Sequence, residues 1–311
     1  MWAYILRRLL YGVLIMLGVT GIIFLLLGVF GGDPVLAYLG KSATEQEILA
    51  LKREFGLDKP LFAQYLDYLG QVATLDFGQS WTTKESVSDL IRRGVWPSLS
   101  FTLPALLLTT FLAVCVGIGA SFFRGRAPDR GLMAIAVLGM SISFLVYIVV
   151  FQYLLAYVFP IFHIHGYEAA LTERWQYLAL PIIIMVIVGL GYESRFYRSV
   201  FVEEVVRDHV TTAYAKGASR YRVMFIHVLK NALIPIITRV MISVPFLVTG
   251  SLLIEAFFGV PGLGNALLSA IETADFPVIR ALTALIAVIF VLSTILNDIL
   301  YAVVDPRVRL E

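Results

Sequence analysis

The sequence predicts an all-α, polytopic membrane protein, and three observations carry that prediction. Hydrophobic residues make up 59% of the 311-residue chain, charged residues 15%, and the mean hydropathy is +0.86, values that a soluble globular chain does not show. Apolar stretches of roughly 20 residues, the length a helix needs to cross the hydrocarbon core, recur six times. Lys and Arg in the short connections gather on one side, as the cytoplasmic loops of membrane proteins do.

The first apolar run, 9–30, follows Arg7 and Arg8. Its 22 residues are too many for a cleaved signal peptide, so it is expected to stay as an anchor. Residues 31–96 then form a separate segment with helical signals. Thr44 and Glu47 make a capping box, Ile48, Leu51 and Phe55 line one face, and Gly56 suits the stop. Pro60 opens a second short helix through Gln64, Tyr65 and Leu69.

The remaining runs are 97–123, 131–162, 175–192, 231–254 and 281–304. The run 131–162 exceeds a perpendicular span and is expected to tilt or to continue past the bilayer, ending near Pro160. Pro181, Pro235 and Pro245 interrupt the next two, and the latter pair is expected to bend the fifth helix beside a passage. The chain therefore divides into an N-terminal transmembrane helix (1–30), an extracytoplasmic helical segment (31–96) and a five-helix core (97–311).

Orientation follows from charge. One side carries Arg7, Arg8, Arg124, Arg126, Arg130, Arg195, Arg198, Arg207, Lys216, Arg220, Arg222, Lys230, Arg307 and Arg309, whereas the two short loops opposite carry only Arg174 and Arg280. Both termini and the 195–230 region are expected in the cytoplasm. The 31–96 segment holds seven basic residues on the other side, but long translocated regions largely escape the charge rule.

Residues 203–230 are a charged, helix-patterned island between apolar runs. Val202, Val206, Val210, Ala213 and Gly217 recur in steps of four, four, three and four, one helix face, with Glu203, Glu204, Arg207, Asp208 and Lys216 on the others. Gly217 breaks the pattern, and Ser219 can cap a second short helix toward Lys230. Such an element either presents itself to a partner or lies along the headgroups as a basic amphipathic loop.

Several chemistries find no support. The motifs GxxxxGK[ST], HExxH and GxSxG are absent, so any energy must come from another chain. His163 and His165 alternate without a third ligand nearby and read as interfacial histidines, so no metal is expected. The lone Cys115 excludes an intrachain disulfide, and a net charge of +2 without a basic aromatic stripe argues against nucleic acid. Arg239 lies inside the fifth span, where a lipid-facing charge costs roughly 2.5–3.5 kcal/mol, so it should face the interior or snorkel to the edge. Glu193, Arg195 and Glu255 are further polar candidates for a pathway, or for bridges between helices.

A family resemblance rests on these residues. Thr211-Thr212-Ala213 followed by Gly217 has the spacing of the EAA loop, the coupling element of binding-protein-dependent ABC importer permeases. The runs 207–217 and 227–235 resemble the version in the dipeptide/oligopeptide/nickel family. Further pieces recur in order: Gly32-Asp33-Pro34, Gln64-Tyr65, Phe77-Gly78-Gln79-Ser80, Glu255 with Phe258, Pro261-Gly262-Leu263-Gly264, Asp275-Phe276-Pro277, Asn297-Asp298 and Asp305-Pro306-Arg307. The extended loop after the first span matches the first of the two permeases. Thr211 and Thr212 replace the glutamate and first alanine of the consensus, Tyr214 stands where a basic residue is common, and Ser143 where a proline often follows serine.

The resemblance implies a type I importer permease in the bacterial inner membrane, surrounded by lipid. It would pair with a second homologous permease, with two cytoplasmic ABC ATPases that bind ATP and Mg, and with an external solute-binding protein. In that role Val206, Val210, Ala213 and Ala218 would pack into the ATPase cleft, Arg207, Asp208, Lys216 and Arg220 would form a polar rim, and Gly217 would allow close backbone approach. Small peptides are the expected cargo, with nickel chelates, opines or glutathione-like solutes as alternatives. An ion-driven secondary transporter would need inverted repeats and midplane ionisable residues, and a membrane hydrolase would need a nucleophile; neither pattern is evident.

Overall fold

The computed structural model describes residues 2–39, 44–168 and 170–304, so the 305–307 motif and Arg309 lie outside the described residues. Helix α1 (Trp2–Leu25) runs on through a π-helical turn, Leu26–Phe30. Three short helices follow: α2 (Pro34–Leu39), α3 (Glu45–Glu54) and α4 (Leu61–Thr74). Thr44 caps α3 through the expected box, its backbone N–H donating to the Glu47 carboxylate at 2.9 Å, and Gly56 turns the chain at φ +66°. Among the described residues there are no β-strands, only an isolated bridge between Gln79 and Ser86.

The core comprises α5 (Val87–Phe122), α6 (Ala127–Ser141), α7 (Phe144–Phe151, continued by a π-helical stretch to Val158) and α8 (Leu171–Val205). After an elbow come α11 (Leu229–Thr249), α12 (Leu252–Phe258), α13 (Leu263–Glu272) and α14 (Phe276–Val304). The elbow itself holds α9 (Asp208–Ala215) and α10 (Arg220–Arg222). Among the described residues, five helical stretches are long and apolar enough to cross a bilayer, and the α6–α7 pair makes a sixth if counted as one span.

Three expectations change. The run 131–162 is not one tilted helix: its halves meet at 89°. Ile142 and Ser143 are both extended (ψ 132° and 141°), and the Tyr147 hydroxyl satisfies the Gly139 carbonyl left at the end of α6. Several prolines lie inside helices, whereas Pro60 stands just before α4 and Pro160 just after the π-helical continuation of α7. Pro97 and Pro104 lie inside α5, which begins ten residues earlier than expected, so a boundary between 96 and 97 falls within one helix. Pro181 sits within the 35-residue α8, and Pro235 and Pro245 within α11. In hydrocarbon, abandoning a helix costs several kcal/mol per unsatisfied backbone group, which outweighs the roughly 3 kcal/mol penalty of an internal proline.

The third change concerns the face from Val202 to Gly217, which does not belong to one helix. The chain leaves α8 at Val206, and Arg207 is extended (ψ 153°) before α9 starts.

The most extensive helix pairing joins α5 to α8, followed by α11 to α14 and α1 to α14. Because lipid is as apolar as the side chains, such pairs are held by close packing and by polar links. Arg8 meets Asp298 at 2.8 Å, tying the start of α1 to the end of α14, and the Thr238 and Tyr301 hydroxyls join α11 to α14. At the opposite end the described residues between 31 and 86 form a cap. Tyr68 is buried with its hydroxyl on the Arg280 carbonyl (3.0 Å), and Phe55 stacks on Trp81, which leans on Phe276. The elbow lies at the other end of the bundle, beside the ends of α5 and α8.

Candidate coupling elbow and membrane cavity

Two sets of family-like motifs pair with each other across the fold. Asp275 is buried and accepts hydrogen bonds from the Ser80 hydroxyl, the Trp81 N–H (3.1 Å) and the Thr82 N–H (3.3 Å), so the 77–80 and 275–277 motifs form one joint between cap and core. Glu255, fully buried, accepts from the Ser98 hydroxyl at 2.7 Å and from the Asn265 N–H at 2.8 Å. Ser98 in turn accepts from the Leu263 N–H at 2.9 Å. A carboxylate and a hydroxyl borrowed from other helices thus satisfy the first turn of α13, where the helix dipole favours negative charge. Gly250 and Gly262 have to be glycine here, since a Cβ at either would collide with the Glu255 carboxylate. Glu255 therefore binds α12 to α13 and α5, and it is not on the wall of the cavity described below.

The elbow is built on a turn that glycine makes possible. Gly217 takes φ +79°, the Ala218 N–H returns to the Ala213 carbonyl at 3.1 Å, and Ser219 caps α10. A π-helical stretch, Val223–Val228, leads into α11. Val210 and Ala213 are buried in a cluster with Phe201, Val223, Met224 and Val228, and Ala218 packs against the same cluster. Their expected role as a surface free to enter a partner is thus replaced by packing within the chain: the stripe that looks ready for a partner anchors α9 to the membrane helices. Val206 alone of that set stands out, 62% exposed.

The rim also divides. Arg207 pairs with Glu204 at 3.0 Å, and Arg220 stacks on Phe122 (3.8 Å) while donating to its carbonyl at the end of α5. Asp208, Thr211, Thr212, Lys216 and Gly217 face outward. So do Tyr214, named above only as a departure from the family pattern, and Tyr221, Phe225 and Ile226, which were not among the candidates. Part of their signal was present: Tyr221 and Phe225 are four residues apart, the spacing of one helix face.

A cavity of about 480 Å³ opens between α5, α7, α8, α11 and α12. Thr102, Thr109, Phe144, Tyr197, Ser243 and Phe246 are among its lining residues, and Glu193 and Arg239 stand on its wall. The Arg239 Nε donates to Glu193 at 2.9 and 3.1 Å and its Nη2 lies 2.9 Å from the same carboxylate, while Phe196 packs 5.4 Å from the guanidinium. Arg239 thus faces the interior. Arg195, exposed, reaches the Met140 sulfur at 3.6 Å and is not among the residues that line the cavity. His163 packs against the Tyr177 ring, 4.4 Å between centroids.

A helical bundle that spans the bilayer, encloses a cavity with a charge pair on its wall and carries a polar elbow at one end defines a membrane transport subunit. Family models agree. Residues 113–310 match the binding-protein-dependent transport system inner membrane component, and residues 1–102 match its N-terminal family. The chain belongs to this family of inner-membrane permeases, and it is the permease subunit of an ABC importer.

Relatives match over their full lengths. The probable peptide ABC transporter permease protein y4tP of Sinorhizobium fredii is 33% identical over 99% of this chain and 100% of its own length. The glutathione transport system permease proteins GsiC of Salmonella choleraesuis and Escherichia coli are each 33% identical over 98% of both chains.

Proposed function

We propose that this chain is one of two homologous permeases in an ATP-driven importer of small peptides or glutathione-like solutes, which it receives from an external binding protein. The elbow and both chain termini lie in the cytoplasm. Two ATPase subunits, which bind ATP and Mg, seat on the exposed side of the elbow around Val206, Thr211, Thr212, Tyr214, Lys216 and Gly217. The cavity beside Glu193 and Arg239 is the chain's half of the passage.

One observation carries the reading: α8 and α11, the two helices that bear the charge pair on the cavity wall, both end at the elbow. A displacement applied at the exposed face of α9 passes through the Val210–Ala213 cluster into both of them. ATP binding closes the ATPases, the elbow follows, and the passage turns outward to accept solute; hydrolysis reverses the motion.

The test is purification in mild detergent followed by crosslinking from Thr212→Cys and Gly217→Cys in a Cys115→Ser background. Stoichiometric recovery of a second permease and of ATPase subunits, with crosslinks to the latter, supports the reading. Uptake by the chain alone, or crosslinks that reach only lipid, overturns it.

A further inference from the structure

We propose that α4 is an interfacial helix that rests in the outer leaflet and anchors the cap to the lipid surface. Its depth is fixed by α1. The apolar run of α1 extends from Leu10 to Gly28. Tyr65 on α4 donates to the Leu17 carbonyl at 3.0 Å, and its ring packs 5.4 Å from that of Phe24. Leu17 is eleven residues short of Gly28, about 16 Å at 1.5 Å per residue, and Phe24 is about 6 Å short. The Tyr65 hydroxyl therefore lies inside the hydrocarbon region, and α4 itself, one tyrosine side chain away, lies in the outer leaflet.

The sequence of α4 fits three environments at once. At 100° per residue, Tyr65, Tyr68 and Val72 share the sector turned to the protein, where Tyr68 is buried against α14. The adjoining sector holds Phe62, Leu66, Leu69 and Ala73. Phe62 is 71% and Leu66 50% exposed, so nothing among the described residues covers them. Gln64, Asp67, Gln71 and Thr74 occupy the remaining side.

A helix with protein on one flank, water on another and bare apolar side chains between them belongs at an interface, its apolar face sunk about 5–10 Å. The occupant of that face is hydrocarbon, because Tyr65 on the same helix meets α1 between Leu17 and Phe24, inside the apolar run of α1. Lys59 and Asp67, paired at 2.6 Å, stand on the polar side at the start of the helix. The cap is thus fastened twice, to the core through Asp275 and to the leaflet through Phe62 and Leu66.

Nitroxide labels test this in the full chain, in the complex with which it co-purifies, reconstituted into phospholipid vesicles in a Cys115→Ser background. Single labels at Phe62→Cys and Leu66→Cys are compared with labels at Asp67→Cys and Gln71→Cys. Ala73→Cys and Thr74→Cys form a second pair should one of the first misfold. Collision with oxygen relative to a water-soluble nickel chelate should be several-fold higher at 62, 66 and 73 than at 67, 71 and 74. Equal ratios at all positions would place the face in water and overturn the proposal. Low access to both reagents at 62 and 66 would assign the face to a protein partner, and would overturn it equally.

Discussion

The Glu255 carboxylate and the Ser98 hydroxyl meet 2.7 Å apart where neither reaches solvent. Together they satisfy the N–H groups of Leu263 and Asn265, so one buried acid holds three helices in register. This makes Glu255→Leu more damaging than its fit suggests, because the Ser98 hydroxyl and the Asn265 amide lose their acceptor. Each orphaned group costs about 1–3 kcal/mol. We expect a clearly lowered melting temperature in detergent for Glu255→Leu and for Gly262→Ala, and a much smaller drop for Glu255→Gln, which keeps one acceptor and the shape. Equal melting of all three would show that the cap on α13 contributes nothing.

Glu193 and Arg239 should behave as a unit. Removing one partner leaves the other charge in the wall of a membrane cavity, at roughly 2.5–3.5 kcal/mol on the insertion scale if no water reaches it. Arg239→Ala and Glu193→Ala should each destabilise the protein, and the double variant should recover part of the loss, with a coupling of about 0.5–3 kcal/mol. The measurement is a double-mutant cycle of thermal unfolding in detergent. Additive effects would mean that the pair contributes no mutual stabilisation.

Ala213 and Gly217 should separate stability from coupling. Ala213→Leu adds bulk inside the cluster around Phe201 and Met224, and overpacking of a filled core costs about 1–3 kcal/mol. A Cβ at Gly217 meets nothing within 4 Å among the described residues, so Gly217→Ala costs only the left-handed backbone, about 1–2 kcal/mol. Gly217→Gln should leave the purified chain folded yet lower uptake while ATP hydrolysis by the complex continues. Normal uptake by Gly217→Gln would remove Gly217 from the contact with the ATPase.

The elbow was legible as two short helices about a glycine because 3.6-residue periodicity, Gly217 and Ser219 all agree. Which of its faces turns inward was not. The period from Val202 to Gly217 continues through the point where the backbone breaks, and neither Gly nor Pro marks Val206 or Arg207. The bend at Ile142 and Ser143 is silent for the same reason. Conversely, Pro97, Pro104, Pro181, Pro235 and Pro245 all lie inside membrane helices, where the bilayer enforces the helix more strongly than proline opposes it. Arg239 was legible because charge is costly in lipid, and its partner Glu193 was legible only as a separate residue. The roles of Glu255 and Asp275 were hidden, since each depends on a segment more than 150 residues away.

Acid should loosen the start of the cap. Partial burial pushes the Asp33 carboxyl upward, but hydrogen bonds from Lys52 and from the Val35 and Leu36 amides, with the Lys52 charge, outweigh it and hold the group below its ordinary 3.8. A depressed carboxylate lends stability that is complete above the ordinary value and is lost as pH falls through the folded one. Both side chains are partly exposed, so the contribution is under about 1 kcal/mol. Hydrogen exchange of α3 amides, normalised for intrinsic rate, should show reduced protection below about pH 4 in the parent. That change should be absent in Asp33→Asn. An identical pH response in both would dismiss the link.

The ion pair between Glu193 and Arg239 has a mechanical meaning as well. It rivets the two arms of a hairpin whose bend is the elbow, so the arms cannot spread apart while the rivet holds. On the function proposed above, a push on the bend is delivered to both arms together, and the passage reshapes by sliding that stiff fork along α5 or by shifting it against the second permease.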